Sequence, residues 1–175
     1  MKKERLVLGG GCFWCTEAVY INVKGVLSVV SGYAGGAREN PSYEQICTGV
    51  TGHAEIIDIL YDADIISRAQ LLEIFFVVHN PTTLNAQGAD RGTQYRSVVY
   101  YETEDDKEII FNAIQRAQKD YSDKIVTEVS PLPKVYPAES YHQEYYNRNS
   151  SQGYCMAVIE PKLQKFMMKF PQLLG

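Results

Sequence analysis

The residues best suited to chemistry stand together near the start of the chain: Gly9-Gly10-Gly11-Cys12-Phe13-Trp14-Cys15. Three glycines turn a chain sharply and keep side chains away from the residue after them. Arg5 to Leu8 reads as a short buried strand ending at that turn, and Cys12 to about Asn22 as a helix. Cys12 therefore falls at a helix N-terminus, where unpaired N–H groups and the positive end of the helix dipole favour thiolate over thiol. The expected pKa lies below the free-cysteine value of about 8.5, and the thiolate is the reactive form.

Other uses of these cysteines compete. A buried cysteine is usually inert, but Cys12 is flanked by a glycine turn and not by packing residues. A zinc site needs four ligands, normally a second close pair. Cys47 and Cys155 stand alone, and His53, His79 and His142 form no HxxxH pair, so no metal is expected. Cys12-Phe13-Trp14-Cys15 also suits a thioredoxin-like dithiol oxidoreductase, and the motif by itself does not separate the two readings.

The elements that would position this segment emerge from periodicity and turn signals. Val26 to Tyr33 is a second strand, stopped by Gly35-Gly36, and Tyr43 to Cys47 a short helix. Ala54 to Tyr61 is a strand rich in Ile. Ser67-Arg68-Ala69-Gln70 has the form of a capping box and opens a helix to Val78. His79 to Tyr95 is a long polar loop, of a length that usually signals function or disorder. Arg96 to Tyr101 is a strand. A helix from Thr103 to about Tyr121 carries Ile109, Ile110, Ala113, Ile114 and Ala117 on its apolar face. Val126 to Val129 is a last strand, Ala138 to Asn147 a Tyr-rich helix, and Leu163, Phe166, Met167 and Phe170 form a helical stripe in the tail. Strands and helices in this order predict a two-layer α/β sandwich, with helices packed on one face of a mixed sheet.

The whole chain, 1–175, fits one domain, with a tail from about 149 to 175. A net charge of −4 gives no basic field for nucleic acid or anionic membrane. Only Leu6, Val7 and Leu8 separate the basic N-terminus from the glycines. That is short of the roughly 7–15 apolar residues of a signal peptide. No apolar run approaches the roughly 20 residues of a membrane span. The expectation is a cytoplasmic monomer, whose four cysteines are catalytic or inert rather than a disulfide scaffold.

Beyond the first helix, the chain carries Gly32-Tyr33-Ala34-Gly35-Gly36, Asn40-Pro41-Ser42-Tyr43, Thr51-Gly52-His53-Ala54-Glu55 and His79-Asn80-Pro81. Gly88-Ala89-Asp90-Arg91-Gly92-Thr93-Gln94-Tyr95-Arg96-Ser97 and Gly153-Tyr154-Cys155 come after them. With Gly11-Cys12-Phe13-Trp14, these blocks resemble peptide methionine sulfoxide reductase A, in that family's order and over most of the chain. A thioredoxin-like protein has no reason to carry them. The resemblance implies a ferredoxin-like sandwich, no metal or other cofactor, reduction of the S epimer of methionine sulfoxide, and regeneration by thioredoxin or a dithiol such as dithiothreitol. It implies Cys12 as nucleophile, Glu55 as acid, Tyr43 and Tyr95 as hydroxyl donors, Phe13 and Trp14 as lining of the methyl pocket, Asp90 on its polar side, and Cys155 as resolving cysteine. Asn80 and Ala89 depart from residues common in the family, and neither holds one of these roles.

The chemistry explains why such residues are needed. Sulfoxide oxygen leaves poorly, so a thiolate attacks the sulfur only where a neutral acid stands by to protonate that oxygen. Alternate residues of a strand share a face, which places Glu55 with Ile57 and Ile59. Apolar surroundings and a nearby thiolate both raise a carboxyl pKa and keep it protonated. Phenols donate without bringing charge. Trp14, the sole tryptophan, offers a flat apolar face to a sulfur-bound methyl. Attack leaves Cys12 as a sulfenic acid, which condenses with a second thiol. Cys155 comes after the polar Ser150-Ser151-Gln152-Gly153 stretch that would let it swing; Cys15 is the alternative resolving thiol, and Cys47 has no comparable freedom.

Overall fold

Leu6 and Leu8 alternate with Arg5 and Val7, and both leucines end fully buried. They belong to β1 (Lys3–Gly9), which pairs antiparallel with β3 (Ala54–Asp62), Leu6 opposite Ile59 and Leu8 opposite Ile57. The computed structural model describes residues 1–149, 151–153 and 155–175, without the side chains of Cys155 and Met156. The elements between and after these strands are α1 (Phe13–Tyr20), β2 (Val26–Ala34), α2 (Tyr43–Cys47), α3 (Arg68–Val78), β4 (Ala86–Gln87), β5 (Asp90–Arg91), β6 (Val98–Tyr101), α4 (Glu104–Gln118), β7 (Glu128–Pro131), β8 (Val135–Pro137), α5 (Tyr145–Asn149) and α6 (Glu160–Lys169).

The main sheet has six strands in the order β7-β6-β1-β3-β2-β8. Its pairs are antiparallel except β6 with β7, so the sheet is mixed, as the pattern of elements predicts. Leu6, Leu8, Ile57, Ile59 and Tyr61 line one face and meet α1, α3 and α6 in the main core. The other face is smaller: Val7, Ile56, Val98 and Tyr100 are covered by Leu132 and Val135 from the stretch around β7 and β8. The helices thus gather on one side.

Local sequence signals explain the ends of the helices. The Ser67 side chain accepts from Gln70 N–H at 3.1 Å while Gln70 accepts from Ser67 N–H at 3.0 Å, the reciprocal capping box. Ser42 and Gln45 make the same box at α2, so a five-residue helix has its first turn satisfied reciprocally. The stripe of the tail packs as predicted, with Leu163, Phe166 and Phe170 buried.

Three segments differ from the sequence reading. His79 to Tyr95 is not plain loop: it folds into the β4-β5 hairpin and a 3₁₀ turn, Thr93–Tyr95. Gln87 stitches its start, accepting from Asn80 N–H and donating to Asn80 O, both at 2.9 Å. The expected helix over Ala138 to Asn147 is two pieces, a 3₁₀ turn at Ser140–His142 and then α5. Between them Gln143 clamps the edge of β2, accepting from Ser31 N–H and donating to Ser31 O, and Glu144 takes a φ of +53°, which no helix tolerates. Strand β8 has no counterpart in the sequence reading because Pro133 and Pro137 bracket it. Proline fits an edge strand, where its missing N–H faces away from the ladder.

Candidate active site

Cys12 caps α1. Its backbone is extended (φ −68°, ψ 131°), and its carbonyl accepts from Cys15 N–H at 3.0 Å. The turn before it depends on two glycines. Gly11 takes a φ of +80° and donates its N–H to the Tyr95 carbonyl at 3.1 Å, tying the turn before Cys12 to the end of the long loop. Gly9 lies so close to the Glu55 carbonyl that a β-carbon could not fit. That approach brings the end of β1, and with it Cys12, onto the start of β3.

Glu55 is 1% exposed, on the helix-covered face of β3 beside Ile57 and Ile59. Its Oε1 accepts from the N–H of Phe13, the first residue of α1, at 3.1 Å. Its Oε2 is buried with no hydrogen-bond partner among the described residues. Burial, with the charges of Asp90 and Cys15 adding to it, outweighs the interactions with Phe13 N–H and the Cys12 thiol and pushes the carboxyl pKa up to about 8. With Oε1 accepting, the proton of the neutral acid belongs on Oε2, the oxygen left to donate.

The thiol corrects the sequence reading. Cys12 is 6% exposed, and its pKa is raised well above the usual thiol value, first by burial, then by the adjacent Cys15 thiol and the charge of Glu55. The helix N-terminus does favour a thiolate, but one turn of aligned peptides does not outweigh desolvation beside a second acid. The resting pair is a neutral thiol beside a neutral carboxyl.

The remaining predicted residues surround this pair. Tyr43, the first residue of α2, and Tyr95, in the 3₁₀ turn, are half-buried. Both phenols are held protonated far above their ordinary pKa, chiefly by burial and then by Glu55, with Cys12 contributing to each. Asp90 sits in the β4-β5 hairpin, where its charge acts on Glu55 and Tyr95. Phe13 is fully buried between Tyr33 and Tyr43, with ring centroids 5.7 and 6.4 Å away. Trp14 remains partly exposed and stacks face to face on Tyr145, centroids 3.7 Å apart. Cys47 is exposed at the end of α2. Cys155 opens a turn of π-helix, Cys155–Ile159, packed near α1, but its thiol lies outside the described residues, as do Ser150 and Tyr154 of the stretch before it.

Sequence reasoning missed Glu139, His142 and Tyr145. Glu139 accepts from the Tyr33 hydroxyl and from Tyr43 N–H, each at 3.0 Å, and His142 accepts from the Trp14 indole at 3.0 Å. Reading this stretch as one continuous helix hid them; Gln143 and the residues around Pro137 held the signal that it is irregular. Among the described residues no group of three or more His, Cys, Asp or Glu could hold a metal ion, and no helix is long and apolar enough to cross a membrane.

Comparison with known proteins bears on family and fold. The family model for peptide methionine sulfoxide reductase matches residues 4–173. Peptide methionine sulfoxide reductase MsrA of Polynucleobacter asymbioticus is 58% identical over 174 residues, 98% of this chain and 92% of that protein. The reduced form of Mxr1 from Saccharomyces cerevisiae superimposes with a TM-score of 0.83 at 33% identity, over 88% of this chain and 90% of that one. Mxr1 in complex with Trx2 shares the fold with a TM-score of 0.59 at 23% identity, over 82% and 85%.

Proposed function

The chain belongs to the peptide methionine sulfoxide reductase family, and we propose that it reduces methionine sulfoxide, free or in proteins, with Cys12 as nucleophile and Glu55 as acid. The observation that carries the assignment of roles is the split of the Glu55 carboxyl. One oxygen is occupied by Phe13 N–H, and the other is buried beside the Cys12 thiol on a carboxyl whose pKa is raised by burial. The thioredoxin-like reading of Cys12-x-x-Cys15 is not the one the family match favours.

As the Cys12 sulfur attacks the sulfoxide sulfur, Glu55 gives its proton to the sulfoxide oxygen and recovers one from the thiol. That attack forms an S–S bond; the protonated oxygen leaves the substrate sulfur and bonds to the Cys12 sulfur, and the S–S bond breaks with its electron pair staying on the substrate sulfur. The sulfoxide is reduced to the thioether, and Cys12 is oxidised to the sulfenic acid. Tyr43 and Tyr95 donate to the oxygen, Phe13 and Trp14 take the methyl, and Asp90 shapes the polar side. The sulfenic acid then condenses with the Cys155 thiol, losing water, or with Cys15 as the alternative. Thioredoxin, or dithiothreitol in vitro, reduces that disulfide by exchange, in a reducing compartment such as the cytoplasm.

Incubation with separated methionine sulfoxide epimers and dithiothreitol, with methionine as readout, tests the reading. The S epimer is expected to react and the R epimer to be inert, because swapping methyl and oxygen would leave buried donors unpaired. Absence of methionine from both epimers, with disulfides of insulin reduced instead, would sink it. Cys155→Ser is expected to release about one methionine per enzyme without reductant, yet to turn over poorly with thioredoxin; full turnover would remove Cys155 from resolution.

A further inference from the structure

Trp14 is held in place on two sides. Its ring face stacks on Tyr145 with an interplanar angle of 7°, and its indole N–H donates to Nδ1 of His142 at 3.0 Å. An indole nitrogen only donates, so Nδ1 must be the bare nitrogen of a neutral imidazole whose proton sits on Nε2. His142 is 1% exposed, enclosed by the rings of Phe13, Tyr43 and Tyr141 at centroid distances of 5.2, 4.3 and 4.1 Å. Burial keeps its pKa below the ordinary value, against the pull of Glu139, so Nδ1 stays available as an acceptor.

The 3₁₀ turn that carries His142 is fixed in turn by Glu139. Its carboxylate takes the Tyr33 hydroxyl on Oε1, and Tyr43 N–H and the Tyr141 hydroxyl on Oε2, at 3.0, 3.0 and 3.2 Å. One turn therefore reaches β2, the start of α2 and the indole beside the nucleophile. On its far side the turn is anchored by Gln143, whose amide clamps Ser31 of β2.

We propose that His142 is a positioning residue, which fixes the orientation of the Trp14 indole against the methyl of the substrate, and that Glu139 holds the turn from which it does so. The proposal rests on the reading of Trp14 as methyl wall. A wall that touches the methyl before and during reaction contributes uniform binding, so its loss raises KM and spares kcat.

Two substitutions separate position from bulk. His142→Asn returns an acceptor where Nδ1 stood, whereas His142→Gln carries its amide to the place of Nε2 and takes that acceptor away from the indole N–H. Trp14 is the sole tryptophan, so its emission reports the indole directly, whether or not the enzyme turns over. His142→Gln is expected to shift that emission and to raise KM for methionine S-sulfoxide about 10-fold with kcat nearly unchanged, the scale of one lost hydrogen bond. His142→Asn is expected to keep the wild-type emission and a KM within about 3-fold. Glu139→Gln is expected to shift emission in the same direction by a smaller amount. If His142→Gln matches wild type in both emission and KM, or if His142→Asn is as impaired as His142→Gln, the hydrogen bond does not position the indole. Emission shifts without any sulfoxide reduction by the wild-type protein would instead overturn the proposed function and leave the positioning intact.

Discussion

Cys12 and Glu55 stand where β1, α1 and β3 meet in the core, whereas the groups that pack against Trp14 and Tyr43 come from the least regular segments. The pair is brought together by β1 and β3, whose inward residues are fully buried, through a backbone contact at Gly9 with no room for a methyl. Trp14, on α1, is braced from outside by a three-residue turn and a five-residue helix, and Tyr43 opens another five-residue helix. Burial by the core sets proton affinities, and the short segments set shape. Substitutions at the pair are therefore expected to change the rate of the chemical step, and substitutions in the wall to change substrate binding.

The largest effect breaks the pair outright. Cys12→Ser is expected to abolish methionine formation while leaving the thermal unfolding transition in place, since a hydroxyl without a base is a weak nucleophile. Appreciable turnover by this variant would remove Cys12 as nucleophile. Next comes Glu55→Gln, expected to slow single-turnover reduction by about 10²–10⁴-fold, the range for general acid catalysis. The sign of the pH dependence comes from the raised pKa. The acid is competent while protonated, so the wild-type rate is expected to be full well below pH 8 and to fall as pH rises through about 8, with no such fall in Glu55→Gln. A rate that rises through that range would reverse the assignment of Glu55 as donor.

Smaller effects test the boundary between the two regions. Tyr43→Phe and Tyr95→Phe each remove one of two donors, and each is expected to lower the single-turnover rate about 10-fold; the double variant is expected to approach the roughly 10²–10³-fold of a lost oxyanion donor set. Equal rates for the double variant and wild type would place neither hydroxyl on the oxygen. The smallest effect belongs to the wall. Tyr145→Ala removes a stacked ring worth roughly 0.5–1.5 kcal/mol, and is expected to raise KM a few-fold with kcat unchanged. A fall in kcat instead would show that wall and pair are not separable.

The same division governs what is legible in the sequence. The alternation of Glu55, Ile57 and Ile59 and the Ser67–Gln70 box report directly on strand face and helix start, because periodicity and capping are local. Cys12 is legible from its glycine turn and helix start, whereas Tyr43, Asp90 and Tyr95 are legible through resemblance alone. Glu139 and His142 are not, since their partners Tyr33 and Trp14 are 106 and 128 residues away, and nothing local marks such a pairing. The thiol pKa escapes the sequence for a related reason. A helix start is visible in a sequence, whereas the desolvation that overrides it belongs to the packed whole.

The neutral state of Cys12 bears on how such a protein survives its own working conditions. Peroxides and alkylating agents attack thiolates, and a thiolate exposed to them climbs toward sulfinic and sulfonic acids that cannot return. A buried thiol that keeps its proton until a sulfoxide arrives with an oxygen ready to receive one is unreactive toward most of what surrounds it. On the proposed assignment, selectivity among oxidants would lie in the resting protonation of Cys12, with the substrate itself arming the thiol.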